Sequence, residues 1–180
     1  MPLLWGVRFF AVILAGSARK EKSMLSIRRA EERDTEGVLR LLSQVLEVHA
    51  EIRPDLFVSG TRKYTKEEVQ QIFRDENRPV FVAVDEEDQV VAYCFCILQQ
   101  TEHANNLRDS KSLFIDDFCV DERCRGQHVG RLLNGYVVSY AKKIGCYDIT
   151  LNVWEGNDRA MGFYRQMGYT PRKTVMEKLL

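Results

Sequence analysis

The sequence predicts one α/β domain of the α+β kind, a mixed central sheet in the order β-α-α-β-β-β-α-β-α-β with helices on both faces. Three observations carry that prediction. Short runs rich in Val, Ile, Phe and Tyr alternate apolar with polar positions, and longer segments repeat apolar residues at helical spacing. Strand-helix-strand crossovers are confined to the second half, where alone parallel pairing can arise. With 180 residues the chain is long enough to bury a core without disulfides or a structural metal.

LSIRRA (Leu25 to Ala30) reads as the opening strand. Asp34 then N-caps a helix whose inner stripe is Val38, Leu41, Leu42, Val45, Leu46 and His49. A turn-rich stretch, EIRPDLFVSGTRKY, precedes a second helix, announced by Thr65 and Glu68 as a capping box, with Val69, Ile72 and Phe73 facing inward. PVFVAVD (Pro79 to Asp85) and QVVAYCFCIL (Gln89 to Leu98) form a hairpin about the acidic turn DEED. After a polar loop from His103 to Ser110, SLFIDDFCV supplies the fourth strand. The third helix lines up Val129, Leu132, Leu133, Tyr136, Val137, Tyr140 and Ala141, and ends at Lys142, Lys143 and Gly145. YDITLNVW (Tyr147 to Trp154) is the fifth strand, GNDRAMGFYRQMG a helix closed by Gly168, and TVMEKLL a last strand whose edge leaves a homodimer open.

The charge balance is even, 26 basic against 26 acidic side chains, so no global field recruits nucleic acid and any anion site must be local. Cys94, Cys96, Cys119, Cys124 and Cys146 are an odd set without a C-x-x-C pair, a pattern suited to a reducing cytoplasm. His49, His103 and His128 are scattered, so no spacing speaks for a metal. The first stretch, MPLLWGVRFFAVILAGSARKEKS, carries an apolar run from Phe9 to Ala15 that is too short to span a bilayer, and only Arg8 precedes it as a charged n-region. The expectation is that 1–23 is an upstream extension or a loosely ordered arm, that Met24 is the natural start, and that 24–180 is the domain, with no membrane partner.

DERCRGQHVGRLL (Asp121 to Leu133) places a strand end, a basic turn and a helix start in succession. Helix-start N–H groups, backed by the positive end of the helix dipole, bind anions where the backbone can be approached. Gly126 and Gly130 permit that approach, and Arg125 and Arg131 add charge. Neither G-x-x-x-x-G-K-[ST] nor G-x-G-x-x-G is present, which sets aside two familiar phosphate loops.

This segment resembles the coenzyme A loop [RQ]-x-x-G-x-[GA] of the GNAT acetyltransferase superfamily, with Arg125 and Gly130 at its first and last positions and His128 in place of the middle glycine. A second resemblance follows one strand later, where Asn157, Ala160, Phe163, Tyr164, Gly168 and Tyr169 fit N-x-x-A-x-x-F-Y-x-x-x-G-[FY]. The likeness runs from Leu25 to Leu180 in element order and is that of a bacterial-type, single-domain N-acetyltransferase. It implies the GNAT fold, acetyl-CoA as acetyl donor, no metal, and an amine acceptor from a small molecule or peptide; an acyl-CoA sensor without turnover is the alternative.

The resemblance further implies that strands four and five splay, so that backbone N–H groups near Cys119 and Val120 face the thioester carbonyl. Such preorganised amides are worth on the order of 3 kcal/mol of barrier. The coenzyme would then lie on Arg125, Gly126, Gln127, His128, Val129, Gly130 and Arg131, with Asn157 capping the last helix and touching it. For His128 either the imidazole bonds a phosphate or only its backbone N–H matters. Tyr164 stands where the superfamily places the tyrosine that protonates or orients the sulfur, and a phenol of reference pKa about 10 stays protonated at neutral pH. Asp116 and Asp117 are candidates for the base; on adjacent positions of the fourth strand they point to opposite faces, and parity does not choose between them. Cys119 and Cys124 lack an obvious base apart from His128 across a turn, which favours direct transfer. HAEIRPDLF lies where the superfamily builds acceptor specificity, and His49, Glu51 and Arg53 are the candidate acceptor contacts. For Trp154 and Glu155 binding and packing remain equal.

Overall fold

A computed structural model of the protein describes residues 25–102 and 104–180. The expectations for 1–23, Met24 and His103 fall outside the described residues.

Five strands form one sheet in sequence order: β1 (Ser26–Arg29), β2 (Val80–Val84), β3 (Val90–Thr101), β4 (Ser110–Val120) and β5 (Asp148–Leu151). The first three pairings are antiparallel and β4 with β5 is parallel, as expected of a crossover placed only there. Four helices complete it: α1 (Thr35–Ile52), α2 (Lys66–Arg74), α3 (Val129–Lys143) and α4 (Asp158–Gln166).

The sheet buries both faces. On one, Val38, Leu41, Leu42, Val69, Ile72 and Phe73 of α1 and α2 cover Val80, Val82, Tyr93, Phe95 and Cys119. On the other, Val129, Leu133, Val137 and Ala141 of α3 cover Phe81, Ala83, Cys94, Cys96, Leu113 and Ile115. Strand alternation assigns these sets, with two interruptions, one at Val91 where β3 pairs with β2 and one within β4. On β3 the α3-facing residues are Ala92, Cys94 and Cys96 without a break, yet on β4 they are Leu113 and Ile115 and then Phe118 and Val120. The pairing explains the change of parity: Cys96 opposes Ile115 and Phe95 opposes Asp117, so Asp116 is the extra residue of a β-bulge.

Three local expectations are corrected. Asp34 precedes α1 but gives no side-chain cap to it; its carboxylate turns back to the Glu31 N–H (2.7 Å) and the Arg28 guanidinium (2.6 Å), a stronger partner than a helix amide. Strand β5 stops at Leu151, short of Trp154, because its pairing with β4 ends at Ile115. TVMEKLL forms no strand: the tail is held by ion pairs, Arg172 to Asp148 (2.8 Å) and Glu177 to Arg53 (3.0 Å), with Val175 and Met176 82% and 85% exposed. An alternating run becomes a strand only when an edge pairs it and a core covers one face, and this one has neither.

Candidate active site

Strand β4 outruns β5. Its pairing with β5 covers only Ser112 to Ile115, while its pairing with β3 continues to Val120, so residues 116–120 present an open edge where the two parallel strands part. The Asp121 N–H bonds the Val91 carbonyl on β3 (2.8 Å), and the Val120 carbonyl, on the opposite side, accepts from Arg125 Nε (3.1 Å). Alternation therefore puts the N–H groups of Phe118 and Val120 on the open edge and that of Cys119 toward β3. The edge amides are thus those of Val120 and Phe118, and the Cys119 N–H faces β3.

The connection from this edge to α3 is anchored by a residue the sequence analysis did not single out. Asp121 is fully buried and accepts from the Arg123 backbone N–H (3.1 Å), from Arg123 Nε (3.1 Å) and Nη2 (2.8 Å), and from Arg40 Nη1 of α1. Arg123 first, and Arg40 with it, hold this carboxyl well below the usual carboxylate range against the opposing effect of burial. A second Arg40 bond, Nη2 to the Val90 carbonyl (2.8 Å), ties α1 to the same point. Acidic residues are ordinarily exposed, so nothing in DERCRG announces this burial.

Beyond Asp121 the chain turns through two left-handed residues, Gly126 at φ 77° and His128 at φ 63°. The position where the coenzyme loop usually has glycine is thus one that needs positive φ, and histidine adopts it here with its side chain exposed. Its ring makes no cap to α3, which leaves the first-turn amides of Val129, Gly130 and Arg131 without an acceptor inside the helix. A side chain on Gly126 would meet nothing within 4 Å, so the loop backbone is open to a ligand. Gly130 is the reverse: a β-carbon there would meet Phe163 of α4 and Val120 of β4, each at 3.3 Å. Gln127 and Arg131 are exposed, and Gln127 Nε2 bonds the Arg123 carbonyl (3.1 Å). Dipole, amides, Arg125 and Arg131 together fit a pyrophosphate.

The bulge brings Asp116 and Asp117 to one cation rather than to opposite faces. Lys63 Nζ, from the α1–α2 connection, lies 3.0 Å from Asp117 Oδ2 and 3.2 Å from Asp116 Oδ2. The expectation of opposite faces holds for an even strand and fails at a residue inserted into it. Asp117 is the deeper of the two, its side chain 5% exposed against 25%, and its second oxygen accepts from the buried Tyr93 hydroxyl (3.0 Å). Burial alone would lower the Lys63 ammonium, but Asp117 and Asp116 outweigh it and hold the charge above the ordinary lysine range. Neither Lys63 nor Tyr93 was legible as a site residue, since their pairing spans a loop and two strands.

His49, half-buried in the last turns of α1, packs at a 40° tilt against Phe57 with centroids 5.1 Å apart, and Phe57 meets Trp154 edge-on at 5.4 Å. Burial lowers the His49 pKa, partly offset by Asp117, so its imidazole is neutral at pH 7. Glu51 is exposed at the end of α1. Arg53 is already engaged, bonded to Asp55 (2.7 Å) and Glu177 (3.0 Å) and lying over the Trp154 ring. Its guanidinium is thus already paired within this chain.

Asn157 caps α4, accepting from the Ala160 N–H (3.0 Å), as its sequence position suggested. Tyr164, one residue past Phe163, is buried against Phe118 at the open edge, and burial raises its pKa well above the usual phenol value. Burial likewise pushes the Cys119 thiol up to about 12, with Asp117 adding to it.

A family model described as the acetyltransferase (GNAT) family matches residues 45–169. The peptidyl-lysine N-acetyltransferase YjaB of Escherichia coli is 27% identical over 81% of this chain and 82% of its own. The BH1408 protein of Bacillus halodurans, solved as a point mutant, is 37% identical with a TM-score of 0.82, covering 86% of this chain and 98% of its own. An aminoglycoside acetyltransferase from an uncultured soil metagenomic sample, 21% identical over 87% of this chain and 95% of its own, shares the fold with a TM-score of 0.68.

Proposed function

We propose, for a chain that belongs to the GNAT acetyltransferase family, direct transfer of an acetyl group from acetyl-CoA to a primary amine of a small molecule or peptide. The observation that carries this reading is the carboxylate pair beside the open edge of β4, which already holds a primary ammonium, that of Lys63. Acetyl-CoA supplies the activated thioester; every other requirement falls to side chains and amides of this chain. Arg125, Arg131 and the amides from Gly126 to Gly130 hold the pyrophosphate, and Asn157 orders the neighbouring α4 start. The Phe118 and Val120 N–H groups are aimed where oxygen gains charge.

Asp117 takes the proton of the incoming ammonium, with Asp116 sharing its charge, and His49 and Glu51 line the approach. Tyr164, kept as a phenol, donates to the departing sulfur. A Cys119 thiol that stays protonated at neutral pH is a poor nucleophile, which supports direct transfer over an acyl-enzyme. On this reading the enzyme is the unit 24–180, and five free thiols support a cytoplasmic setting.

Calorimetric titration of acetyl-CoA tests the proposal, with Arg125→Ala at the same ionic strength and thiol release on an amine panel afterwards. Loss of a charge-assisted contact of about 1.5–3 kcal/mol predicts binding roughly 10- to 150-fold weaker in the variant. No binding to the wild-type protein refutes the enzyme reading, and binding without thiol release points to the sensor.

A further inference from the structure

We propose that Lys63 is a tethered acceptor, occupying the amine site of its own chain and becoming acetylated there on Nζ. The inference rests on the acetyltransferase reading above and concerns a modification of the protein itself. Three features set Lys63 apart from the other lysines among the described residues. Its Nζ touches both carboxylates at the bulge, at 3.0 Å and 3.2 Å. One of those carboxylates is buried and braced by the Tyr93 hydroxyl, so its position is fixed. The side chain comes from the connection between α1 and α2 and lies against the Tyr64 ring (5.2 Å), so its ammonium reaches the carboxylates while the side chain stays 38% exposed. Lys66, three residues on, is the internal contrast: it is also ion-paired, to Glu36 at 2.7 Å, but on the surface and more exposed, 51% against 38%.

The chemistry balances without an added oxidant or reductant. The Lys63 ammonium gives one proton to the Asp117 carboxylate, and its nitrogen forms the C–N bond to the acetyl carbon. The C–S bond breaks, the second nitrogen proton goes to the thiolate, and the carboxylate returns its proton to water. Any primary ammonium entering this site meets the same proton acceptor, and a tethered one needs no encounter step, an advantage equivalent to effective concentrations of about 10⁵ M or more when the geometry is right. An acetylated Lys63 is uncharged, and the two carboxylates are then left to an external ammonium.

The test follows site occupancy by peptide mass spectrometry. Protein verified as unmodified at Lys63 is incubated with acetyl-CoA at mildly alkaline pH, and the acetylation rates of Lys63 and Lys66 are compared. Lys63 is expected to react at least about tenfold faster although it is the less exposed, at a rate independent of protein concentration. Asp117→Asn is expected to bring it down to the Lys66 rate. Lys63→Arg retains the ion pairs and removes the acceptor nitrogen, so the dominant mass increment disappears whatever the stability of the carboxylate variant. Lys63 reacting no faster than Lys66, or at a rate proportional to protein concentration, overturns the proposal. Acetyl-CoA binding and amine turnover measured alongside separate the two readings: turnover with Lys63 unmodified overturns the tethered acceptor alone, and absence of binding overturns both.

Discussion

Replacing Asp121 by asparagine tests how the coenzyme loop is held. The wild-type carboxylate is fully buried and takes three bonds from Arg123 and one from Arg40, and Arg40 fixes α1 to β3 at the Val90 carbonyl. The guanidiniums are 72% and 41% exposed, so each is resolvated when the charge is lost, and the penalty of a stranded buried cation does not apply. What remains is the loss of charge-assisted bonds and the turning of an amide NH₂ toward donors, about 3 kcal/mol in all. For a chain of this size that lowers Tm by roughly 6–12 °C. Thermal unfolding followed by circular dichroism reads the difference, and its pH dependence gives a second check. Because the folded carboxyl is held below its unfolded value of about 3.9, its contribution is complete above that pH and is lost as pH falls through the depressed value. The gap between wild type and Asp121→Asn is therefore flat from about pH 8 to 5 and narrows only below about pH 4. An Asn variant within about 0.5 kcal/mol of wild type at pH 7, or a gap that closes near neutrality, refutes this account.

Asp117→Asn keeps the shape and the Tyr93 bond but removes the proton acceptor, so amine turnover by thiol release falls by about 10²–10⁴ while calorimetric acetyl-CoA affinity is unchanged; equal loss of both would make Asp117 structural. His128→Gly relieves about 1 kcal/mol of left-handed strain and gives back about half of it to the unfolded chain, so stability read by urea unfolding rises by about 0.5 kcal/mol; a fall would mean the exposed ring has a stabilising partner. Asn157→Ala removes the cap of α4 and lowers stability by about 1 kcal/mol in the same assay, and an unchanged midpoint would count against the cap.

Features governed by neighbours in sequence were legible. Thr65 and Glu68 form their reciprocal cap (2.7 Å and 3.2 Å), Asn157 caps α4, and the glycine-bearing turn opens α3 where the motif puts it. The same local logic failed where the outcome depends on a partner strand. TVMEKLL alternates like a strand, but alternation does not tell whether an edge is offered to it. Asp116 and Asp117 read as opposite-facing because the extra residue becomes visible only once β4 is laid against β3. Lys63 and Asp121 escaped notice for a related reason: a charged residue in a loop is ordinarily solvated, and only tertiary contact shows which ones are enclosed.

The inserted residue at Asp116 acts as a change of reading frame within β4. Upstream of it odd positions face α3, and downstream even positions do. Deletion of that residue would restore unbroken alternation with the existing pairs, Ile115 with Cys96 and Asp117 with Phe95, so the segment after it would keep its facing. Phe118 and Val120 would stay toward α3 and Cys119 toward α1 and α2, and what would be lost is the second carboxylate on Lys63. The extra residue in FIDDFCV therefore doubles the acid on one cation and leaves the direction of the strand beyond it unchanged.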